Sequence, residues 1–151
     1  MLKKIFFTIL FFNLLNHCDY KPVYSDKNKV NQKIIITSFT GDKDINDFIA
    51  TALKRNSKVS SNNILEVSFD TKYSKVVLAK NSAGAITDYQ ANVVTTFTIE
   101  KGNNYENFLV NDKFNFKKMA DKYEEKNYEQ NIKKNLANSI TQKLLLRLTL
   151  N

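Results

Sequence analysis

Acid/base chemistry needs two carboxylates held toward one reacting centre, and two pairs in this sequence have the spacing to be considered, Asp42 with Asp44 and Glu124 with Glu125. Asp42 and Asp44 stand just ahead of an apolar helical pattern, where helix capping and the positive end of the helix dipole account for them. Glu124 and Glu125 are neighbours in a helical stretch and point in different directions, which makes a poor dyad. Nucleophilic and metal chemistry have fewer tools still. The chain holds one Cys, Cys18, and one His, His17, so an intrachain disulfide framework and a Cys-based zinc site are ruled out. An enzyme is not expected, and no cofactor or metal is implied.

The remaining reactive groups are cationic. Lys and Arg number 23 against 15 Asp and Glu, a net charge of +8, and all but two of the basic residues are Lys. Base-reading modules lean on the bidentate fork of Arg, whereas Lys serves as a point charge toward anionic surfaces. Charge alone does not exclude nucleic acid, but nothing in this balance favours it, and the export signal at residues 1–17 argues against it as a partner. At 151 residues, 42% apolar and 25% charged, the chain suits one ordinary folded core.

Residues 1–17 carry the marks of an export signal. Lys3 and Lys4 precede the apolar run Ile5-Phe6-Phe7-Thr8-Ile9-Leu10-Phe11-Phe12-Asn13-Leu14-Leu15, which is shorter than the roughly 20 residues a spanning helix needs. Cys18 follows directly, where a bacterial lipoprotein carries the Cys that receives a diacylglycerol thioether and then N-acylation. The placement resembles a lipobox, with Leu15 three positions ahead of the Cys and His17 departing from the small residue normal just before it. An unpaired thiol in an oxidising compartment favours lipidation over an incidental Cys behind an ordinary signal peptide. Cleavage would remove the only His and lower the net charge from +8 to +6 as Lys3 and Lys4 leave. Residues 18–32 are polar, carry the only Pro, Pro22, between Tyr20 and Tyr24, and are expected to tether the anchor to a domain spanning 33–151.

Within that domain the periodicities alternate between strand and helix. Lys33 to Thr40 is β-branched and ends at Gly41-Asp42, which predicts a strand. Ile45, Phe48, Ile49, Ala52 and Leu53 recur at helical spacing up to about Asn56. From Leu65 the period becomes two through Val67, Phe69 and Tyr73, continuing to Ala79; Asn81-Ser82-Ala83-Gly84 turns the chain, and Ala91, Val93, Thr95, Phe97 and Ile99 alternate again. After Gly102-Asn103-Asn104, Phe108, Val110, Phe114 and Phe116 mark a fourth strand whose inner face Asp112 interrupts. From about Asp121 to Leu150, Ile132, Leu136, Ile140, Leu144 and Leu148 predict a long amphipathic helix, with Leu144-Leu145-Leu146 widening its apolar surface toward the core or toward a partner. The expected fold is α+β: a four-stranded, mostly antiparallel mixed sheet with two helices packed on one face.

Cys18-Asp19-Tyr20-Lys21-Pro22-Val23-Tyr24 is similar to the Cys-Gly-Phe-x-Pro-Leu-Tyr start of the LPS-assembly lipoprotein LptE family, in its alphaproteobacterial form. Ile86-Thr87-Asp88-Tyr89, the Phe-rich strand and the long last helix fit the same pattern, so the resemblance spans the mature chain. It implies an outer-membrane lipoprotein, anchored through Cys18 on the periplasmic side, that plugs and helps assemble an LptD-like β-barrel and passes lipopolysaccharide to the outer leaflet. Lipid A phosphates would then find complementary charge at Lys72, Lys75 and Lys80 on the long hairpin and at Lys113, Lys117 and Lys118 near the fourth strand. Lys75 stands apart, because alternation puts it on the apolar face with Tyr73 and Val77 unless a bulge intervenes. The alternative is a generic lipid-anchored interaction module, retained at the inner membrane as an Asp directly after the lipidated Cys signals in some bacteria.

Overall fold

The computed structural model describes residues 30–150; the expected export signal at 1–17, Cys18, Tyr20, Pro22 and Tyr24 lie outside the described residues. The elements run β1 (Lys33–Gly41), α1 (Lys43–Asn56), β2 (Ile64–Lys80), β3 (Ile86–Lys101), β4 (Asn104–Lys117) and α2 (Lys122–Leu150). The strands form one sheet in the order β1-β2-β3-β4. β1 runs parallel to β2, and the other two pairings are antiparallel. The expected α+β class, mixed sheet and pair of helices are all present.

Local chemistry accounts for the joints. Asp42 caps α1 by accepting the Ile45 N–H at 3.0 Å, and Asp121 caps α2 by accepting from the N–H groups of Tyr123 and Glu124 at 2.7 and 2.9 Å. The turn after β2 is held by the Asn81 side chain, whose Oδ1 accepts from the N–H groups of Ala83 and Ala85, with Gly84 at φ 78. Gly41 is required at its place: its φ is +95, and a Cβ there would lie 1.9 Å from the Thr71 carbonyl oxygen. That close approach lets β1 end against β2, and the next N–H, of Asp42, donates to the same Thr71 oxygen at 2.9 Å.

The helices cover one face of the sheet, and the core lies between. Ile45, Ile49 and Leu53 of α1 meet Leu65, Val67, Val93 and Phe97 of the sheet and Ile132, Leu136, Ile140 and Leu144 of α2, all buried. Four phenylalanines in register, Phe39, Phe69, Phe97 and Phe108, form a rung across all four strands with ring centroids 5.5, 5.6 and 5.5 Å apart. Aromatic neighbours across strands add packing energy beyond their buried area. Val30 is also buried and bridges to Ser57, so the core takes in a residue ahead of Lys33. No described helix is long and apolar enough to cross a membrane.

Candidate functional site

The stripe of α2 that faces inward does not stay apolar. Counting back from Ile132 in helical steps, the same stripe carries Glu129 and Glu125, and both point at β2. There the alternation of β2 places Lys75 on the inner face as expected. Its register shifts fall later, between Val77 and Ala79 and between Ala79 and Lys80, so no bulge turns Lys75 outward. Its Nζ donates to Glu125 at 2.8 Å and to Glu129 at 2.9 Å, and sits 4.3 Å from the Tyr89 ring centroid and 5.2 Å from that of Phe116. The Tyr73 hydroxyl donates to Glu129 at 2.7 Å, and Lys133 lies over the Tyr73 ring at 4.6 Å. Lys133 in turn reaches Asp42 at 2.9 Å and Asp44 at 3.3 Å, and Gln130 donates to Asp44 at 3.0 Å.

These contacts form one polar seam, from Glu125 through Lys75, Glu129, Tyr73 and Lys133 to the start of α1. Its electrostatics fix five of its groups in one state. Hydrogen bonds from Gln130 and Lys133 hold the Asp44 carboxyl below the ordinary range, and the Lys75 hydrogen bond does the same for Glu125. Burial works against the Lys75 and Lys133 ammonium groups, but hydrogen bonds to Glu125 and Glu129 in one case and to Asp42 and Asp44 in the other outweigh it and raise both. Burial, with the bond to Glu129, pushes the Tyr73 phenol far up. Asp44 and Glu125 are thus ionised and paired, Lys75 and Lys133 charged and the Tyr73 phenol neutral at pH 7. Such a seam docks two helices on a sheet in one register.

The two carboxylate pairs of the sequence part company here. Asp42 caps α1, Asp44 lies in its first turn, and both meet Lys133; Glu125 faces inward to Lys75 and also accepts the Met119 N–H at 3.0 Å, while Glu124 is exposed. Among the described residues, no group of three or more His, Cys, Asp and Glu could hold a metal.

The six lysines named from the sequence are not brought together. Lys75 is engaged inside the seam. Lys72, Lys80, Lys113, Lys117 and Lys118 are exposed. By register Lys72, Lys113 and Lys117 share the uncovered face of the sheet, on the rows Lys72-Val94-Asn111, Ser74-Asn92-Lys113 and Asp88-Lys117. Lys80 ends β2, and Lys118 follows β4, its N–H donating to the Thr87 carbonyl at 2.8 Å.

Asp112, the residue that interrupts the inner face of β4, has a partner in Lys143 at 3.4 Å. Burial raises the Asp112 carboxyl, but bonds from Ser139, the Lys113 N–H and Lys143 lower it on balance. Beside this pair an open groove of about 650 Å³ runs between β4 and α2, lined by Phe108, Leu109, Val110, Asn111, Lys143, Leu146 and Arg147. Of the leucines that widen the end of α2, Leu144 and Leu145 are core, and Leu146 faces this groove. Arg147 at its rim is tied to Glu106, its Nε donating at 2.9 Å.

Sequence reading missed the seam because it takes residues from three elements. A signal was present in the unusual Lys75 on an apolar face and in Glu125 and Glu129, which extend the leucine stripe backward.

No family model matches the sequence, and no curated protein matches it. Solved structures share its fold. The crystal structure of rare lipoprotein B from Shewanella oneidensis superposes with a TM-score of 0.54 at 13% identity, over 75% of this chain and 92% of that one. A putative lipoprotein from Caulobacter crescentus CB15 does so with a TM-score of 0.50 at 9% identity, over 80% of this chain and 89% of that one. At these identities the likeness is one of fold: the chain has the α+β architecture of rare lipoprotein B.

Proposed function

We propose that this chain is a lipoprotein anchored through Cys18, working as a non-enzymatic plug and assembly partner of an LptD-like outer-membrane β-barrel that delivers lipopolysaccharide. The observation that carries this reading is the coincidence of the rare lipoprotein B fold with a Cys18-to-Tyr24 stretch similar to the LptE family start. The shape of the domain agrees with it. One sheet face is covered by helices, and the other carries Ser, Thr, Asn and Lys side chains such as Ser74, Thr96, Asn92 and Lys113, with Val76 and Leu109 exposed among them, a largely polar surface that suits a polar barrel lumen. Exposed Lys72, Lys80, Lys113, Lys117 and Lys118 supply charge for lipid A phosphates. Two or more acyl chains on Cys18 would hold the domain stably at the leaflet.

The second reading, a lipid-anchored interaction module kept at the inner membrane, draws on Asp19 directly after Cys18. One experiment separates the two. A C-terminally tagged chain is purified from separated inner and outer membranes, and its N-terminus is measured by intact mass. A triacylated Cys18 with a stoichiometric barrel protein in the outer-membrane fraction supports the plug. An acylated chain in the inner-membrane fraction, without a barrel, supports the module, and an unmodified Cys18 overturns both.

A further inference from the structure

β2 is paired along its length by β3 but only half covered on its other edge. β1 pairs with Ile64–Thr71, and among the described residues nothing pairs with the outer edge of β2 from Lys72 to Lys80. A bare strand edge presents backbone N–H and C=O groups that template another strand, and proteins usually blunt it with a charge, a Pro or a covering element. On the far edge of the sheet one such device is present: the Lys143 ammonium donates to the carbonyl of Asn111 in β4 at 2.8 Å, within a strand that pairs only with β3. The free half of β2 carries Lys72 and Lys80 at its ends and between them shows Val76, Val77 and Leu78 in succession, 43%, 46% and 48% exposed. Aliphatic side chains on both faces of an unpaired edge are left for something to cover.

We propose that the Lys72–Lys80 edge of β2 is a strand-addition site for a short extended segment of a protein partner, apolar at its centre and acidic at both ends. Charge decides the occupant. A second copy of this chain, paired antiparallel about Val76 so as to use the whole edge, would set Lys72 opposite Lys80 at each end, and like charges directly across a ladder are destabilising. A segment with carboxylates spaced as Lys72 and Lys80 are would meet both exposed ammonium groups, while Lys75 stays with Glu125 and Glu129. Main-chain hydrogen bonds supply affinity in this mode, and the side chains choose the sequence. The register shift after Val77 adds twist and keeps the added strand short. The inference stands on the fold and is independent of the lipid anchor.

The test is amide hydrogen exchange of the full chain in detergent micelles, with and without the acetylated peptide Glu-Thr-Val-Thr-Val-Val-Thr-Val-Glu or the same peptide ended in Lys. The acidic peptide should slow the amides between Lys72 and Lys80 and leave those of β4 unchanged, and the Lys-ended peptide should do neither. In a Lys72→Glu/Lys80→Glu double variant, the acidic peptide should bind about tenfold more weakly and the Lys-ended peptide should take its place. The comparison of the two peptides on the unaltered chain stands on its own if that variant does not fold. The proposal is overturned if neither peptide slows the edge, if both act equally, if β4 is protected as well, or if the Lys72–Lys80 amides are already protected in the chain alone.

Discussion

Lys75 is half-enclosed, with its side chain 24% exposed, and its two partners Glu125 and Glu129 are 17% and 23% exposed. Removing one partner of such a cluster leaves the other charges poorly solvated, which costs more than the pair itself contributes. Lys75→Met should therefore lower stability by about 1–3 kcal/mol in urea unfolding, whereas Lys72→Met on the open face should stay within about 0.5 kcal/mol. The same groups set the pH response. Glu125, Asp44 and Asp112 titrate below their ordinary values of 4.5, 3.8 and 3.8 when folded, so their contribution is present above those values and is lost as pH falls through the folded ones. Lys75 and Lys133 titrate above 10.5 when folded, so theirs is present below 10.5 and is lost as pH rises beyond it. The thermal midpoint should be level between about pH 6 and 9 and drop below about pH 4.5, and Glu125→Gln should make the acid-side drop shallower. Gly41→Ala combines a positive φ with a collision against the Thr71 carbonyl, and should cost about 2 kcal/mol or more in the same urea assay.

The two helices play different parts. α1 is short, capped at Asp42 and buried along one stripe, as its i, i+3, i+4 spacing requires. α2 is divided along its length: its first turns meet the sheet through Glu125 and Glu129, and its later turns through Ile132, Leu136, Ile140 and Leu144. The polar start fixes where α2 sits, because an ion pair and a hydroxyl bond tolerate less sliding than leucine packing. The apolar end supplies the stability. Leu136→Ala should cost about 2–5 kcal/mol, and Leu146→Ala, at a position 62% exposed, should stay within about 0.5 kcal/mol. Parallel denaturation curves of the two variants check the division directly, and equal losses would contradict the assigned core.

At the scale of the molecule the sheet has two unlike faces and two unlike edges. The helix-covered face holds the Phe rung and the seam, the open face is largely polar with Lys72, Lys113 and Lys117, β4 forms one edge with Lys143 on its Asn111 carbonyl, and on the other side β1 leaves the second half of β2 bare. A domain built this way can be lodged by its outer surface while its core stays intact, which is what a plug needs. Under the proposed function the domain depends on Cys18 for its place and not for its fold. Cys18→Ser should move the protein from the membrane fraction to the soluble fraction and leave the urea midpoint of the domain unchanged; retention in the membrane would remove the anchor from the reading.

Much of the architecture was legible because it rests on short-range patterns. Period two through Leu65, Val67 and Phe69, helical spacing from Ile45 to Leu53, and Gly and Asn at the turns determine strands, helices and hairpins through backbone geometry alone. The resemblance at Cys18 to Tyr24 was likewise carried by adjacent residues. The seam was not legible, apart from the hint of a Lys on an apolar face. Joining Lys75 to Glu129, Tyr73 to Lys133 and Asp42 to Lys133 depends on the register of α2 over the sheet, and residues so far apart in the chain carry no local mark of which carboxylate meets which cation. The Phe rung needs the register of four strands at once, and the bare edge needs to know where β1 stops. Local periodicity determined which segments are strands and helices, and only the long-range packing of those segments decided which charges are spent inside the fold and which remain on its surface.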